Sequence, residues 1–478
     1  MKDAVTQDGM RIHFDVEIVA SDGTILRGDV FLPAGLDGQK VPVLASYGCY
    51  AKGQSFQEAY ANQWDRMVED FPEIQDMTSG LYQCWELTDP ELWVPHGYGV
   101  LRVDSRGSGM SEGVQDVFSL TETRDYYDVV EWAAAQSWSN GKIGLLGISY
   151  YAVNQWMVAS MQPPHLAAMI PWEGASDAYR ELYYHGGIRS QFVDMWLPRQ
   201  LPMQYGFGDR GRKSRVTGAN VAGDVTYDEA TLSANRTDKV AEVIAHPTED
   251  AYYTGCAADW SKVTVPFLSA ANWGGAGLHL RGNVEAFTEA ASERKYLEVH
   301  GLEHWVHFYS PYGVALQRDF FDHFLKGEDN GWQTRKPVHL QVRHIDRFEE
   351  RFEEAWPLPS TNWTDWHLDT AIQHMGPAAP ASNSSASYAA TGEGITFRTP
   401  DGVGNGNHRP PGGAALPQQR HGGCGPFPCV APLRSGGAGD RVPRGDGCPR
   451  SGGAGMASRL ASQGRSGEIQ TLPPLAHP

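Results

Sequence analysis

The sequence predicts an α/β fold, in which a mostly parallel sheet is covered by helices. Apolar strands at residues 41–46 and 99–104 alternate with a segment at 123–136 whose apolar residues recur at helical spacing. This alternation is typical of parallel crossover units. A third apolar run, residues 142–148, passes through Gly147 directly into another helix-compatible segment. Together these patterns indicate strands that are joined by helices.

The remaining strands lie on both sides of this central part. Two alternating runs joined at Asp22-Gly23 are typical of a β-hairpin. Further strands are predicted downstream, at residues 166–171, 265–270 and 295–299. Between Asp177 and Gly255 the strand periodicity is lost. We interpret that part as a cap inserted over a cleft.

These patterns divide the chain into four parts. The core is expected at residues 1–177 and 256–330, and the cap at residues 178–255. Residues 337–400 begin with alternating patterns and are expected to form part of a β module. From 401 to 478 the chain is rich in Gly, Pro and Arg without apolar periodicity, which predicts disorder. GC-rich coding DNA read out of frame gives the same composition, so an out-of-frame tail is a second interpretation.

The composition excludes several classes of partner. Acidic residues outnumber basic ones, 57 to 39, in a chain of 478 residues. This balance argues against a nucleic acid or an anionic membrane as partner. The first residues lack the apolar core of a signal peptide, and no apolar run is long enough to span a membrane, so we expect a cytoplasmic protein. The cysteine spacing suggests neither zinc nor a disulfide framework, and no metal or cofactor is expected.

The turn at Gly147-Ile148-Ser149 is the strongest chemical signal in the sequence. A serine on a sharp strand-to-helix turn needs a very small residue two positions before it, and its Oγ then points into an open cleft. Gly147 and Ser149 have this spacing. The backbone N–H of Tyr150 would begin the next helix, where it can donate to a developing oxyanion. Ser149 is therefore predicted to be a nucleophile, with an ordinary helix N-cap as the alternative.

Two motifs make the chain resemble a known group of serine hydrolases. They are Asp104-x-Arg106-Gly107-x-Gly109-x-Ser111-x-Gly113 and, further along, Gly147-x-Ser149-Tyr150. Residues 16–368 resemble the CocE/NonD family, which groups X-prolyl dipeptidyl peptidases, cocaine esterase and α-amino-acid ester hydrolases. The resemblance implies an α/β-hydrolase core with an inserted helical cap, followed by a β jelly-roll module that is truncated here. Family members usually carry glycine where this chain has Ala152.

The resemblance also implies the parts of an active site. Ser149 matches the nucleophile, and His304 matches the general base. The hydroxyl of Tyr50 and the backbone N–H of Tyr150 match the two donors of the oxyanion hole, although Tyr50 has simple packing as an alternative role. Two other histidines in the loop of His304 compete for the role of base, His300 and His307.

The acid of the triad is not where the resemblance places it. The family usually has an aspartate two residues past a tryptophan in the loop after the strand at 265–270, and here that position is Gly275. Glu173, directly after the preceding strand, is a candidate for a relocated acid because some α/β-hydrolases carry the acid there. Asp177 is a second candidate, and a Ser-His pair without an acid is the third alternative.

The predicted function is that of a serine hydrolase that cleaves acyl ester or amide bonds through a covalent acyl-serine. The substrate would be a small ester or amide, or a short peptide, and the oligomeric state is left open. Recognition of a peptide amine calls for carboxylates, for which the cap offers Glu181 and Asp194. Aromatic density in the cap favours an esterase or acylase instead. The alternatives are a non-catalytic α/β-hydrolase-fold scaffold or binding protein, and a truncated, poorly folded gene product.

Overall fold

The computed structural model describes residues 4–36, 38–275, 277–344, 347–363, 365–389 and 394–398. The described residues fall into two compact units, the first extending to Trp356 and the second beginning at Pro357. The predicted tail at 401–478 lies outside the described residues. None of the described helices has the length and apolar character needed to cross a bilayer.

An eleven-stranded sheet runs through the first unit, in the order β1-β2-β3-β5-β4-β6-β7-β10-β11-β12-β13. Four further described strands, β8, β9, β14 and β15, form two separate pairs outside this sheet. The strands are, in chain order, β1 (Val5–Gln7), β2 (Met10–Val19), β3 (Ile25–Pro33), β4 (Val41–Gly48), β5 (Gly99–Asp104), β6 (Ser139–Ile148), β7 (Leu166–Trp172), β8 (Tyr184–His185), β9 (Ile188–Arg189), β10 (Phe267–Asn272), β11 (Lys295–His300), β12 (Val338–Arg343), β13 (Phe348–Glu353), β14 (His367–Asp369) and β15 (His374–Gly376). The pairs from β5 to β12 are parallel, whereas the pairs at both ends are antiparallel. The α/β class predicted from the alternating pattern is confirmed.

Helices connect and cover these strands. They are α1 (Phe56–Ala59), α2 (Ala61–Asp70), α3 (Glu73–Met77), α4 (Pro90–Trp93), α5 (Leu120–Ala134), α6 (Tyr150–Ser160), α7 (Phe192–Gln200), α8 (Glu229–Ala234), α9 (Lys239–Ala245), α10 (Ala251–Thr254), α11 (Leu280–Glu289), α12 (Val306–Tyr309) and α13 (Pro311–Phe321). Short 3₁₀ or π turns occur at Val94–His96, Ala178–Tyr183, Leu201–Met203, Gly208–Arg210, Trp260–Lys262, Trp273–Gly275, Asp322–Lys326 and Trp332–Thr334.

Local chemistry explains why the helices begin where they do. Ser119 accepts a hydrogen bond from the backbone N–H of Glu122 at the start of α5, and Ser310 accepts one from Gly313 at the start of α13. Strands β4 and β5 are buried along their whole length, as expected at the centre of a sheet that is covered on both faces. Because β6, β7 and β10 are parallel neighbours, their carboxyl ends meet at one edge of the sheet.

The segment predicted as a cap, residues 178–255, folds mostly as short helices. Three of them, α8 to α10, begin at aspartates whose side chains accept a backbone N–H: Asp228, Asp238 and Asp250. The exception is the short β8–β9 pair, which the sequence analysis did not predict. Buried residues of this segment pack against Val153 of α6, which follows the predicted nucleophile.

The β module predicted to begin at residue 337 does not begin there. β12 pairs in parallel with β11, with Leu297 opposite Val338, and β13 pairs antiparallel with β12. Residues 338–353 therefore extend the large sheet. The alternating pattern predicts strands here but does not determine which edge they join. In the described residues of the second unit, β14 pairs with β15 and no jelly roll is formed.

Candidate active site

Ser149 lies on a strained turn between β6 and α6. Its backbone angles, φ 56° and ψ −111°, are unfavourable for a residue with a side chain. Its N–H donates to the carbonyl of Trp172 at the end of β7, over 3.0 Å, which holds the turn against the neighbouring strand. A Cβ at Gly147 would lie 2.4 Å from the Cβ of Tyr151, so only glycine fits two residues before the serine. This is the geometry of a nucleophile turn.

Ala152, where family members usually carry glycine, is accommodated by a glycine on the neighbouring segment, Gly174. A Cβ added to Gly174 would lie 2.7 Å from the Cβ of Ala152. The methyl group of Ala152 therefore occupies space that Gly174 leaves free. This allows α6 to pack closely on the segment after β7, which carries Glu173.

The hydroxyl of Ser149 is hydrogen-bonded to His279, with Oγ 3.1 Å from Nε2. The sequence resemblance predicts His304 in this place, and that prediction is wrong for the contact itself. His279 belongs to the loop after β10, the loop in which the family usually carries its acid, and it directly precedes α11. The one sequence signal for His279 is its place between a strand end and a helix start. Burial, followed by repulsion from the charge of His304, lowers the pKa of His279 to about 3.

His304 lies behind His279 and contacts two carboxylates. Its Nδ1 is 2.6 Å from Glu173 Oε2, and its Nε2 is 3.1 Å from Glu86 Oε1. Burial disfavours the imidazolium, but the charge and hydrogen bond of Glu173, assisted by Glu86, outweigh it and raise the pKa of His304 to about 10. His304 is therefore a cation at neutral pH, and its Nδ1–H donates to the carboxylate of Glu173.

Glu86 is a site residue that the sequence analysis missed. It precedes α4 in a loop, its φ is 61°, and its side chain is buried. Its backbone carbonyl accepts the N–H of Ile148, the residue before the serine, over 3.1 Å. Burial raises the pKa of Glu86, which the hydrogen bond and charge of His304 partly offset. The unusual backbone of Glu86 thus places a carboxylate beside His304.

Glu173 lies directly after β7 and is almost completely buried. Its backbone, at φ 51°, turns the side chain towards His304, and its N–H donates to the carbonyl of Ala270 on β10 over 2.7 Å. Besides His304, its carboxylate accepts hydrogen bonds from His300 Nε2 at 3.0 Å and Asn272 Nδ2 at 3.1 Å. Burial would raise the pKa of Glu173, but His304 and His300 hold it well below its usual range.

His300 connects Glu173 to a second buried carboxylate. Its Nδ1 is 2.6 Å from Glu298 Oε2, and Glu298 Oε1 accepts the hydroxyl of Tyr312 over 3.0 Å. Burial opposes its charge, yet Glu298 and Glu173 raise the pKa of His300 to about 9. His300 is therefore a buried cation that supports Glu173. His307, the other histidine considered as the base, lies in α12, and burial lowers its pKa to about 4.

The two residues predicted to form the oxyanion hole, Tyr50 and Tyr150, have ring centroids 5.7 Å apart. The Tyr50 hydroxyl accepts a hydrogen bond from Trp196 Nε1 over 3.1 Å, which leaves its own proton available for donation. Burial raises the pKa of Tyr50 well above its ordinary value, so the hydroxyl stays protonated. The Tyr150 N–H lies in the first turn of α6, where a backbone donor has no partner within the helix. The Tyr150 hydroxyl is engaged with Glu122.

The carboxylates considered for binding a substrate amine are already paired. Glu181 contacts Arg281 over 2.7 Å and is buried, and Asp194 contacts Arg189 over 2.7 Å. Asp177, the second candidate for the acid, pairs with Arg180 instead of a histidine. The structure therefore brings Glu173, and not Asp177, to His304.

Glu173, His279 and His304 are also the described residues whose arrangement suits a metal ion, with ligand atoms within 4.8 Å of one another. Side-chain hydrogen bonds already engage these groups, because Glu173 is bonded to His304 and His279 is bonded to Ser149. Hydrogen-bonded imidazole and carboxylate groups of this kind are suited to proton transfer.

Comparisons with known proteins find similar sequences among hydrolases. A family model described as X-Pro dipeptidyl-peptidase (S15 family) matches residues 22–309. A protein of Mycobacterium bovis named as a candidate serine esterase is 25% identical over 457 residues, which cover 83% of this chain and 70% of that protein. Cocaine esterase of Rhodococcus sp. is 27% identical over 320 residues, which cover 58% of this chain and 53% of that protein.

A solved structure extends the likeness to the fold. The CocE/NonD family hydrolase of Staphylococcus aureus is 34% identical, with a TM-score of 0.66 over 80% of this chain. The matched region spans 62% of the length of that protein. Because the S15 model matches more than half of the sequence and includes the Ser149 turn, the chain belongs to the X-Pro dipeptidyl-peptidase (S15) family of hydrolases, in its CocE/NonD group.

Proposed function

We propose that the chain is a serine hydrolase that forms an acyl-enzyme at Ser149. The observation that carries this proposal is the hydrogen bond of 3.1 Å between Ser149 Oγ and an imidazole nitrogen, made from a strained strand-to-helix turn. An adjacent base is what a weakly acidic hydroxyl needs to become a nucleophile. A buried and paired carboxylate, Glu173, lies behind the two histidines and supplies the acid of the site.

The reaction has two acyl-transfer steps. Ser149 Oγ bonds to the acyl carbon while its proton passes to imidazole, and the carbonyl π electrons move to the oxygen. The Tyr50 hydroxyl and the Tyr150 N–H donate to this oxyanion. When the tetrahedral intermediate collapses, the bond to the leaving group breaks and the imidazolium returns the proton to it. Water then repeats the sequence and releases the acid and Ser149.

The substrate class we propose is a small ester or amide with an uncharged acyl group. Glu181 and Asp194 are engaged with arginines, so neither offers a free carboxylate to a substrate amine. Aromatic rings join the serine turn to the cap, since Trp196 of α7 stacks on Tyr150 with ring centroids 5.9 Å apart. Such a wall suits an apolar acyl group. The names of the relatives, which include a cocaine esterase, agree with ester hydrolysis.

Hydrolysis of p-nitrophenyl butyrate by the full chain tests the function. Ser149→Ala is expected to lower turnover by at least about 10³-fold. Ser160→Ala removes a hydroxyl from the other end of the same helix, where it bonds only to the carbonyl of Met157, and is expected to retain turnover. Folded Ser149→Ala with unchanged turnover would refute the proposal. Hydrolysis of alanyl-prolyl p-nitroanilide as fast as that of the ester would overturn the substrate preference.

A further inference from the structure

Two histidine rings are stacked at the site, and only one of them contacts the serine. The rings of His279 and His304 are nearly parallel, with an interplanar angle of 11° and centroids 5.1 Å apart. His279 Nε2 is the atom 3.1 Å from Ser149 Oγ. A general base must be within hydrogen-bonding reach of the proton it removes. His279 meets this condition.

His304 is occupied on both sides. Its Nδ1 is bound to Glu173 Oε2 at 2.6 Å and its Nε2 to Glu86 Oε1 at 3.1 Å. Both ring nitrogens are therefore directed at carboxyl groups, and with its pKa raised to about 10 the ring is an imidazolium at neutral pH. An imidazolium has no lone pair with which to take the proton of Ser149.

We propose, building on the serine hydrolase function, that His279 is the general base for Ser149 and that His304 is a positioning residue. In the first step, the Ser149 Oγ–H proton moves to His279 Nε2 as Oγ bonds to the acyl carbon. The same proton then passes from His279 Nε2 to the leaving oxygen as the carbon–oxygen bond breaks. His304 keeps its two protons throughout and holds the carboxylate of Glu173 next to His279.

His279 is fixed in place by its loop. Its N–H donates to the carbonyl of Gly275 over 2.9 Å, and its own carbonyl accepts the N–H of Asn283 in the first turn of α11. Asn283 in turn bonds to both sides of Glu173, accepting from the N–H of Gly174 over 2.9 Å and donating to the carbonyl of Pro171 over 3.0 Å. The end of β7 and the loop of His279 therefore form one hydrogen-bonded unit. Here the strand end carries the acid and the following loop carries the base.

The charges around His279 determine its behaviour with pH. The cation of His304 faces its ring and disfavours a second positive charge, while the anion of Glu173 favours one. Burial adds to the effect of His304, and the pKa of His279 falls to about 3. His279 is then neutral, and able to accept a proton, throughout the physiological pH range. The low pKa also weakens the driving force for proton transfer to it. Glu173 compensates in part, because its charge stabilises the proton when it arrives.

The pH profile of kcat/KM for p-nitrophenyl butyrate distinguishes the two histidines. With His279 as base, the wild-type profile is expected to be flat from pH 5 to 8, because His279 is already neutral there. With His304 as base, kcat/KM would rise about tenfold per pH unit across the same range, because its pKa of about 10 must be passed first. A rising profile would overturn the assignment. This measurement needs no variant.

Variants give an independent test. His279→Asn is expected to lower kcat/KM per folded molecule by at least about 10³-fold at every pH. The control is His165→Asn, the same substitution at a half-exposed histidine that pairs only with Glu131, and it is expected to keep wild-type activity. Folded His279→Asn with wild-type kcat/KM would refute the role of His279 even if Ser149→Ala is inactive. An active Ser149→Ala would instead refute the underlying function. If His279→Asn does not fold, the wild-type profile decides.

Discussion

The carboxylate of Glu173 lies next to Gly275, the position at which the family usually carries its acid. A Cβ built on Gly275 would be 3.8 Å from Glu173 Oε2. The two positions follow the ends of neighbouring parallel strands, β7 and β10, which pair with Ala270 opposite Trp172. Two different strand ends can therefore deliver a carboxylate to the same point. Gly275 leaves room for the one that comes from β7.

Replacing Glu173 by glutamine is expected to lower turnover. The substitution keeps the shape but removes the charge that holds His304 and stabilises the proton on His279. We expect turnover per folded molecule to fall by about 10² to 10⁴-fold. The matched control is Glu131→Gln, which neutralises a partly exposed glutamate paired with His165 over 2.7 Å and is expected to have little effect. Undiminished ester turnover in folded Glu173→Gln would show that Glu173 has a structural role only.

An acid restored at residue 275 is expected to rescue that variant in part. The nearest heavy atoms to a Cβ at Gly275 are 3.6 Å away, so the backbone there accepts a side chain without a clash at its Cβ. In the Glu173→Gln background, Gly275→Asp should therefore return a measurable part of the lost turnover. The comparison is between the single and the double variant, at equal folded concentration. Equal activity of the single and the double variant would contradict the inference that carboxylates at residues 173 and 275 reach the same point.

His300 is expected to make the stability of the protein depend on pH. Its pKa is about 9 in the folded protein and about 6.5 when unfolded, so it binds a proton more tightly in the folded state. Its stabilisation is complete below pH 6.5 and is lost as the pH rises through 9. A shift of this size corresponds to on the order of 3 kcal/mol. The free energy difference between wild type and His300→Gln should therefore be largest near pH 6 and smaller above pH 9.

Urea unfolding at both pH values measures this difference. His165→Asn is the control, because His165 is half exposed and has one surface partner. It should change stability equally at the two pH values. A difference between wild type and His300→Gln that is the same at pH 6 and above pH 9 would show that His300 is not a buried cation.

The serine turn could be predicted from sequence because its requirements are local. Gly147 and Ser149 are two residues apart, and the steric need for glycine there is set by Tyr151 in the next turn of chain. Glu173 could be proposed from chain order, since it follows the strand next to β6. These features depend on neighbours in sequence or on the alternation of strands and helices.

His279 and Glu86 could not be predicted in the same way. His279 reaches Ser149 across 130 positions of sequence, and Glu86 reaches His304 across 218. Both contacts depend on how loops turn at the edge of the sheet, which no local pattern records. The partner of β12 was mispredicted for a related reason. The alternating pattern predicts a strand, but it is compatible with a strand in the large sheet and equally with one in a separate module.

Removing the Tyr50 hydroxyl is expected to affect the transition state more than substrate binding. Tyr50→Phe should lower kcat by about 10² to 10³-fold with little change in KM, as for the loss of one oxyanion donor. Tyr82→Phe is the matched control, because Tyr82 is a buried tyrosine whose hydroxyl bonds to Asp8 over 2.7 Å, away from the site. A Tyr50→Phe variant with an increased KM and an unchanged kcat would place the hydroxyl in substrate binding.

The contact between Ala152 and Gly174 predicts a compensating pair of mutations. Gly174→Ala alone would place two methyl groups 2.7 Å apart, and we expect it to destabilise the fold by about 1–3 kcal/mol. Adding Ala152→Gly should recover part of that loss. Gly35→Ala is the control, because a Cβ there has no heavy atom within 4 Å. Additive effects of the two substitutions in thermal unfolding would contradict this contact.

Labelling of the full chain with a fluorophosphonate probe tests the nucleophilic role of Ser149 most directly. The probe reacts with a serine only where a base and an oxyanion hole activate it. Peptide mapping by mass spectrometry is expected to show one label per chain, on Ser149, and a labelling rate that falls sharply in His279→Asn. A folded protein that hydrolyses the ester but carries the label elsewhere, or no label at all, would contradict the account.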